Sequence, residues 1–337
     1  MACRQDALWF LYSDAPLDMD VNRWSNVSTR ISSERNRLAA IQWYHGRLPG
    51  LMKKDGLDVF WSPRHHLPLR ITRAVRTVVT VHDMTWKCFP ETMKPLQRWS
   101  ERLQMPRSIQ RANRIIAVSS SGREDILRYF PALAPRIQVI HSGATKLEPE
   151  PLLRDVPGSF LLFVGTLEPR KNLRRLLHAY ACLPSGLKTA HPLVLAGGHG
   201  WMVDIGQIAN DLGIADHVRV LGAVSSAELG YLYSRAKLLL LPSLYEGFGL
   251  PILEAFQFGV PAVTSDCSAM PEVAGKGGVL VNPLDVDSIR RGIEWVLTEP
   301  AVYAACVAAI PEQLGRFDWD VAGEKTFNLL VGKKGAC

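Results

Sequence analysis

LLLLPSLYEGFGLPILEAFQFGVPAV (residues 238–263) holds, in order, a continuously apolar run, a loop with two glycines, a helical stretch and a second apolar run. A short run with no polar interruption, ending at Pro242, suits a strand buried on both faces of a parallel sheet. Pro251 stands where a helix begins, because proline fits the first helical turn. Strand, loop, helix and strand again form the repeating unit of a parallel α/β architecture.

The same alternation extends outward in both directions. Towards the C-terminus come GVLVN (278–282) and the end of VPAVTS, which starts at 260; towards the N-terminus come AKLLLLP (236–242), HVRVLG (217–222), PLVLAG (192–197) and SFLLFV (159–164). The first half adds ALWFLY (7–12), LDVFWS (57–62), TVVTVH (77–82), RIIAVS (114–119) and RIQVIH from 136. Helical patterns fill the gaps, as at Asn172–Tyr180 and Asp287–Leu297, where Ile289, Ile293, Val296 and Leu297 share one face. Lys146–Gly158 carries three prolines and a closing glycine, the composition of an interdomain linker. The expectation is two Rossmann-like domains, residues 1–150 and 158–330, with ligands in a cleft where the carboxyl edges of both sheets meet.

Of 337 residues, 47% are hydrophobic and 21% charged, which is ordinary for a globular chain with proper cores. No stretch approaches the roughly 20 apolar residues of a membrane span, and the opening MACRQDALWFLYSD lacks the parts of a secretion signal. A cytoplasmic protein is expected. The six cysteines stand singly, with no CxxC and no histidine at metal-ligand spacing, so neither a zinc site nor a disulfide framework is expected. Residues 1–157 carry 24 Lys+Arg against 15 Asp+Glu, whereas the remainder carries 15 against 17. The basic half is expected to face something anionic. No nucleic-acid module is present in the sequence.

Three segments carry chemistry. In the first, Gly247 and Gly249 flank Phe248 and let backbone approach a ligand, while the N–H groups of the following helix attract anions. Glu246 and Glu254 would face the same opening. A carboxylate accepts two hydrogen bonds from a ribose diol, and backbone amides take a phosphate. Each glutamate alone also fits a helix charge; the pair with two glycines favours a nucleotide-like ligand. The second segment, FLLFVGTLEPRKNLRRLLHAY (160–180), runs a strand into Gly165-Thr166 and then Arg170-Lys171 before a helix. Adjacent cations at that edge suit a diphosphate clamp that neutralises charge on a leaving nucleotide. Arg174 and Arg175 belong to the outer face of the helix. The third segment ends the run TVVTVH with His82 and Asp83, and the residues leave open whether His82 is structural or contacts a sugar hydroxyl.

Glu246 to Glu254 resembles the E-x7-E signature of the retaining glycosyltransferases of family 4, which have the GT-B fold. The resemblance runs through VVTVHD, IIAVSSSGREDILRYFP, RIQVIHSGA, FVGTLEPRKNL, LGAVSSAELGYLYSRAKLLLLPSLYEGFGLP, SAMPEV (Ser268–Val273) and RFDW (Arg316–Trp319), about residues 77–320. It implies a nucleotide-sugar donor in the C-terminal domain, an acceptor in the N-terminal domain, and no obligatory metal or cofactor. Glu254 would hold the donor ribose, Glu246 the transferred sugar, and Gly247-Phe248-Gly249-Leu250 sugar and phosphate. Arg170 and Lys171 resemble the pyrophosphate clamp, His82 the histidine near the reaction centre, and the loop around Val224 the base pocket. Relatives often carry Arg at the position of Thr166, which moves weight onto Arg170. The Gly-rich loop that usually follows the first strand is missing, so the expectation is an N-terminally shortened acceptor domain or an acceptor side built differently.

The TLEPRKNL form of the clamp resembles members that transfer mannose in bacterial surface-polysaccharide assembly, with GDP-mannose as the first candidate donor. The resemblance implies a glycan or lipid-diphosphate-linked acceptor. Peripheral contact with an anionic membrane through the basic first domain is a further expectation. Lys94, Arg98 and Arg102, with Trp99 beside them, would share a helix face, and a solvated face is the preferred explanation of that stripe. The competing reading is a catalytically impaired partner subunit that keeps the donor pocket but has an incomplete acceptor domain.

Overall fold

The computed structural model describes residues 6–17, 20–21, 23–32, 36–150 and 156–332. Each apolar run named above forms a strand: β1 (Trp9–Ser13), β3 (Val59–Ser62), β4 (Arg76–Val81), β5 (Arg114–Ala117), β6 (Ile137–Val139), β7 (Phe160–Val164), β8 (Leu193–Ala196), β9 (Val218–Gly222), β10 (Ala236–Leu241), β11 (Ala262–Ser265) and β12 (Gly278–Val281). One further strand, β2 (Val27–Ile31), pairs with β1 in a separate two-stranded sheet. All pairings are parallel.

In the first half the strands lie in chain order, β3-β4-β5-β6. Alternation sorts their side chains onto two faces. Val79, Val81, Ile115 and Ala117 join one core, while Val78 and Ile116 join another on the opposite side. The second half forms a six-stranded sheet in the order β12-β11-β10-β7-β8-β9. Its central strands are buried except at Lys237 of β10, with all five residues of β7 in the core. The chain steps outward from β7 to β9, then returns to β10 and steps the other way. Strand order therefore reverses between β7 and β10, where open α/β sheets leave a crevice at their carboxyl edge.

The helix Trp319–Val331 ends the described chain but does not stay with the second sheet. Ala322, Leu329 and Leu330 pack on Val78, Ile116 and Ile140 of the first half. Arg76 at the start of β4 donates to the carbonyls of Leu329 and Leu330 at 3.0 and 3.3 Å. A boundary at residue 330 therefore places this helix with the wrong core: an amphipathic pattern reveals a buried face, not the sheet that covers it. The chain thus crosses between domains twice. The two crossings touch, because Ala144 N–H donates to the Phe317 carbonyl at 3.3 Å and a Cβ on Gly143 would stand 2.4 Å from Trp319 N. Of the proposed linker, residues 146–150 have no regular structure and Glu150 N–H donates to the Ala227 carbonyl, while residues 151–155 lie outside the described residues. No single described helix is long and apolar enough to cross a membrane.

Candidate active site

The loops after β7 and β10 meet at the reversal point. Glu246 is buried there and accepts three side-chain hydrogen bonds: Lys171 Nζ at 2.6 Å, Ser243 Oγ at 2.7 Å and Arg170 Nη1 at 3.0 Å. Burial by itself raises the pKa of this carboxyl, but Lys171 and Arg170, with the Ser243 hydroxyl, outweigh it and hold the group down at about 2. Arg170 also donates to Glu168 at 2.7 Å and to the Tyr245 carbonyl at 2.6 Å. Desolvation opposes its charge, yet Glu246, Glu168 and Asp83 together raise its pKa above the ordinary value. Ser268 Oγ closes the far side of the loop by donating to the Glu246 carbonyl at 2.6 Å. Sequence spacing separated a carboxylate for the sugar from a cation pair for the phosphates; the fold joins them in one charge-compensated cluster.

Asn172 sets this geometry. It adopts a left-handed conformation (φ 61°) between the turn 169–171 and the helix Leu173–Ala181. Its buried amide donates to the carbonyls of Pro242 and Pro283, which fastens the β7 loop to the end of β10. Lys171 then folds back beneath Gly165, its Cε 3.2 Å from where a Cβ would stand. Thr166 is exposed beside it, at the rim.

The first domain closes over this loop. A Cβ on Gly247 would lie 1.8 Å from the His82 carbonyl oxygen, so only glycine lets the two backbones touch. Ser119 Oγ donates to the Gly247 carbonyl at 2.8 Å. Tyr245 bridges the domains: its hydroxyl donates to Asp125 and accepts from the Met84 N–H, both at 2.9 Å. Burial, reinforced by Asp125, pushes that phenol far above its usual range. The exposed His82 ring sits at this seam with Nε2 2.7 Å from the Pro63 carbonyl. A carbonyl only accepts, so Nε2 carries the proton and Nδ1 of the neutral ring is left as an acceptor. The remaining candidates lie around the cluster. Gly249 caps the helix Leu250–Gln257, Phe248 is buried against Phe317 and His141, and Leu250 and Val224 are half-buried on the second core. Glu254, on that helix, accepts from Tyr233 Oη at 2.9 Å instead of joining Glu246. Burial raises its pKa, and the Tyr233 bond offsets this in part.

Beside Arg170 lies a cavity of ≈190 Å³ between the domains, with Asp83, Trp86, Gln97 and Glu101 on one wall and Glu168, Arg170 and Trp201 on the other. Trp201 seals it by donating from Nε1 to the Thr92 carbonyl at 3.0 Å.

Residues 145–313 match the family model described as glycosyl transferases group 1, and residues 11–145 match that of glycosyltransferase family 4. The chain is a group 1 glycosyl transferase. This glycosyltransferase is 34% identical over 304 residues to O-antigen chain mannosyltransferase B of Escherichia coli, a match that spans 86% of this chain and 79% of the relative. Against O-antigen chain mannosyltransferase RfbU of Salmonella typhimurium the identity is 26%, over 90% and 83% of the two chains. Among solved structures, the glycosyltransferase WaaG superposes with a TM-score of 0.72 at 17% identity, over 98% of this chain and 93% of that one. Anabaena HepE in complex with UDP-glucose gives 0.71 at 17%, over 96% and 91%. The fold of the glycosyltransferase is thereby GT-B.

Sequence reasoning reached His82 and Gly247 of the seam but singled out neither Ser243, Tyr245 and Asn172, which shape the loop, nor Ser119, Ser120 and Asp125 across from it. Glu272 accepts from Ser120 N–H and Oγ at 2.9 and 2.8 Å and from His141 Nε2 at 2.7 Å, which ties the domains a second time. The segments SAMPEV and RIQVIHSGA pointed to Glu272 and His141 without giving either a task.

Proposed function

We propose that this glycosyltransferase moves a hexose, mannose in the first instance, from a nucleotide-diphosphate sugar to a glycan or lipid-linked saccharide, with retention of configuration and without a metal on the diphosphate. The observation that carries the reading is the Arg170–Lys171–Glu246 cluster at the reversal point of the second sheet. An arriving diphosphate competes with Glu246 for the two cations, which then offset the charge that builds on the leaving phosphate as its bond to the anomeric carbon breaks. The amides at the start of the helix 250–257 face the same anion. Glu254, held by Tyr233, is assigned to the ribose, and Val224 to the wall of the base pocket. Mannose is favoured as the transferred sugar by the mannosyltransferase relatives, and GDP-mannose is taken as the first candidate donor.

Glu246 is saturated by three donors and is a weak base, so it is assigned to positioning and charge balance and not to nucleophilic attack. Retention then follows from substitution on one face: the acceptor oxygen bonds to the anomeric carbon as the phosphate leaves, and the phosphate oxygen takes the acceptor's proton. His82, through Nδ1, holds a hydroxyl of the transferred sugar.

The first domain is assigned to docking on an anionic membrane surface. On the helix Pro95–Arg111, Leu96, Trp99 and Leu103 are 73%, 73% and 54% exposed at a helical spacing, with Arg98 and Arg102 between them. Apolar and cationic side chains on one face suit an interfacial helix.

The test is binding of nucleoside diphosphates and nucleotide sugars to wild type, Lys171→Ala and Glu254→Ala, followed by transfer assays with the donor that binds. Expected is one preferred base, a rise in melting temperature lost in both variants, and an α-linked product from GDP-mannose. Equal binding by wild type and both variants overturns the site. Binding with slow donor hydrolysis and no transfer overturns the enzymatic reading in favour of a donor-binding partner subunit.

A further inference from the structure

We propose that His65, His66 and Glu101 form a binding site for one divalent transition-metal ion of the zinc class, with a coordination position open to the interdomain cavity. Spacing along the chain gives no hint of it, because Glu101 lies 35 residues beyond His66. The two histidines follow β3 on the loop through Pro63, whereas Glu101 sits on the helix Pro95–Arg111. Folding brings His66 Nε2 to 2.9 Å and His65 Nε2 to 3.4 Å from the same Glu101 oxygen, and the three ligand atoms all lie within 4.8 Å of one another. Tetrahedral zinc, with bonds of about 2.0–2.2 Å, spaces neighbouring ligand atoms roughly 3.3 Å apart, close to the 2.9 and 3.4 Å that separate the two histidine nitrogens from Glu101 Oε2.

The donor set decides the class of ion. Two imidazoles and one carboxylate suit zinc, cobalt or nickel, whereas magnesium and calcium prefer oxygen alone. The side chains are 21%, 22% and 15% exposed, shielded enough to bind firmly and open enough to admit an ion. His65 Nδ1 is buried with no partner, so that ring's polar contact is directed at Glu101 through Nε2. The helix holding Glu101 is anchored through Ser108, whose hydroxyl accepts from Leu67 N–H at 2.9 Å and so fixes it against the histidine loop. Three protein ligands leave a fourth position. His65 and Glu101 line the ≈190 Å³ cavity, and Arg170 lines its opposite wall. The fourth position would accept an oxygen of a hydroxyl or anion in that cavity, whose far wall is the Arg170 side of the Glu246 cluster.

The experiment titrates the chelator-stripped full chain with Zn²⁺, with Co²⁺ and with Mg²⁺ as the contrasting ion, by calorimetry and by Co²⁺ visible absorption. Expected is one equivalent of Zn²⁺ or Co²⁺, an intense absorption band of low-coordinate cobalt, and no comparable Mg²⁺ binding. Glu101→Gln and His65→Asn lose more affinity than the roughly 10–100-fold that removal of an outer-shell partner costs, while His178→Asn, an exposed histidine of the second domain, binds as wild type. Thermal unfolding without metal checks that each variant is folded. Absence of stoichiometric binding to wild type, a weak six-coordinate cobalt spectrum, or full retention of binding by folded Glu101→Gln and His65→Asn overturns the site.

Discussion

At the scale of single residues, Glu246 is where most of the site's electrostatics converges. Its carboxylate compensates two cations that are themselves shielded from solvent. Removing it strands both charges, and Glu246→Ala is expected to destabilise the fold by about 3–5 kcal/mol, read as a lower denaturant midpoint. The pH dependence has a definite sign. The folded-state pKa of about 2 lies below the ordinary 4.5, so the stabilisation is fully present above pH 4.5 and is lost as pH falls towards 2. Denaturation of wild type and Glu246→Gln at pH 7 and pH 3 checks this: the acid-induced loss is smaller in the variant. The same low value keeps Glu246 ionised throughout the neutral range, so a titration of kcat between pH 5 and 8 arises elsewhere.

Secondary-structure elements show which parts of the molecule the sequence made legible. Strands such as Phe160–Val164 could be read directly, because burial on both faces demands unbroken apolar runs. Val27–Ile31 could not, since only its first and last residues are apolar. The two loops of the site were legible as glycine, proline and charge, but their closure on one another depends on Asn172 and Ser243, short polar residues common in any loop. Tyr233 was equally hidden: it sits on the helix Ser226–Arg235 and meets Glu254 on the helix Leu250–Gln257. Loss of its hydroxyl in Tyr233→Phe removes the bond that lowers the Glu254 pKa, costing about 1–3 kcal/mol of support for the charged form. The acid limb of donor binding is expected to move to higher pH, measured as Kd against pH. Gly247→Ala tests the contact between loops: its Cβ would overlap the His82 carbonyl, and displacement of about 1 Å costs on the order of 100-fold in kcat/KM.

At the scale of the whole molecule, the two domains are joined by paired crossings near Gly143 and Phe317 and by the polar contacts of Tyr245 with Asp125 and of Glu272 with His141. A composition that divides into a basic half and a near-neutral half made the asymmetry legible, and the helix Pro95–Arg111 gives it a surface. Trp99→Ala together with Arg98→Glu and Arg102→Glu is expected to abolish co-sedimentation with anionic vesicles while leaving nucleotide binding intact. Equal sedimentation of wild type and variant excludes this face.

The last helix has a bearing on how the protein is made. Val78, Ile116 and Ile140 gain the cover of Leu329 and Leu330 nearly two hundred residues after the last of those strands has been translated. The amino-terminal domain, though synthesised first, therefore finishes second. The second half carries a core drawn almost wholly from Phe160 to Phe317 and can assemble while one apolar face of its predecessor lacks part of its cover. During that interval the nascent chain offers a sticky surface, and a ribosome stalled before residue 319 leaves an aggregation-prone product whose six-stranded sheet is already built.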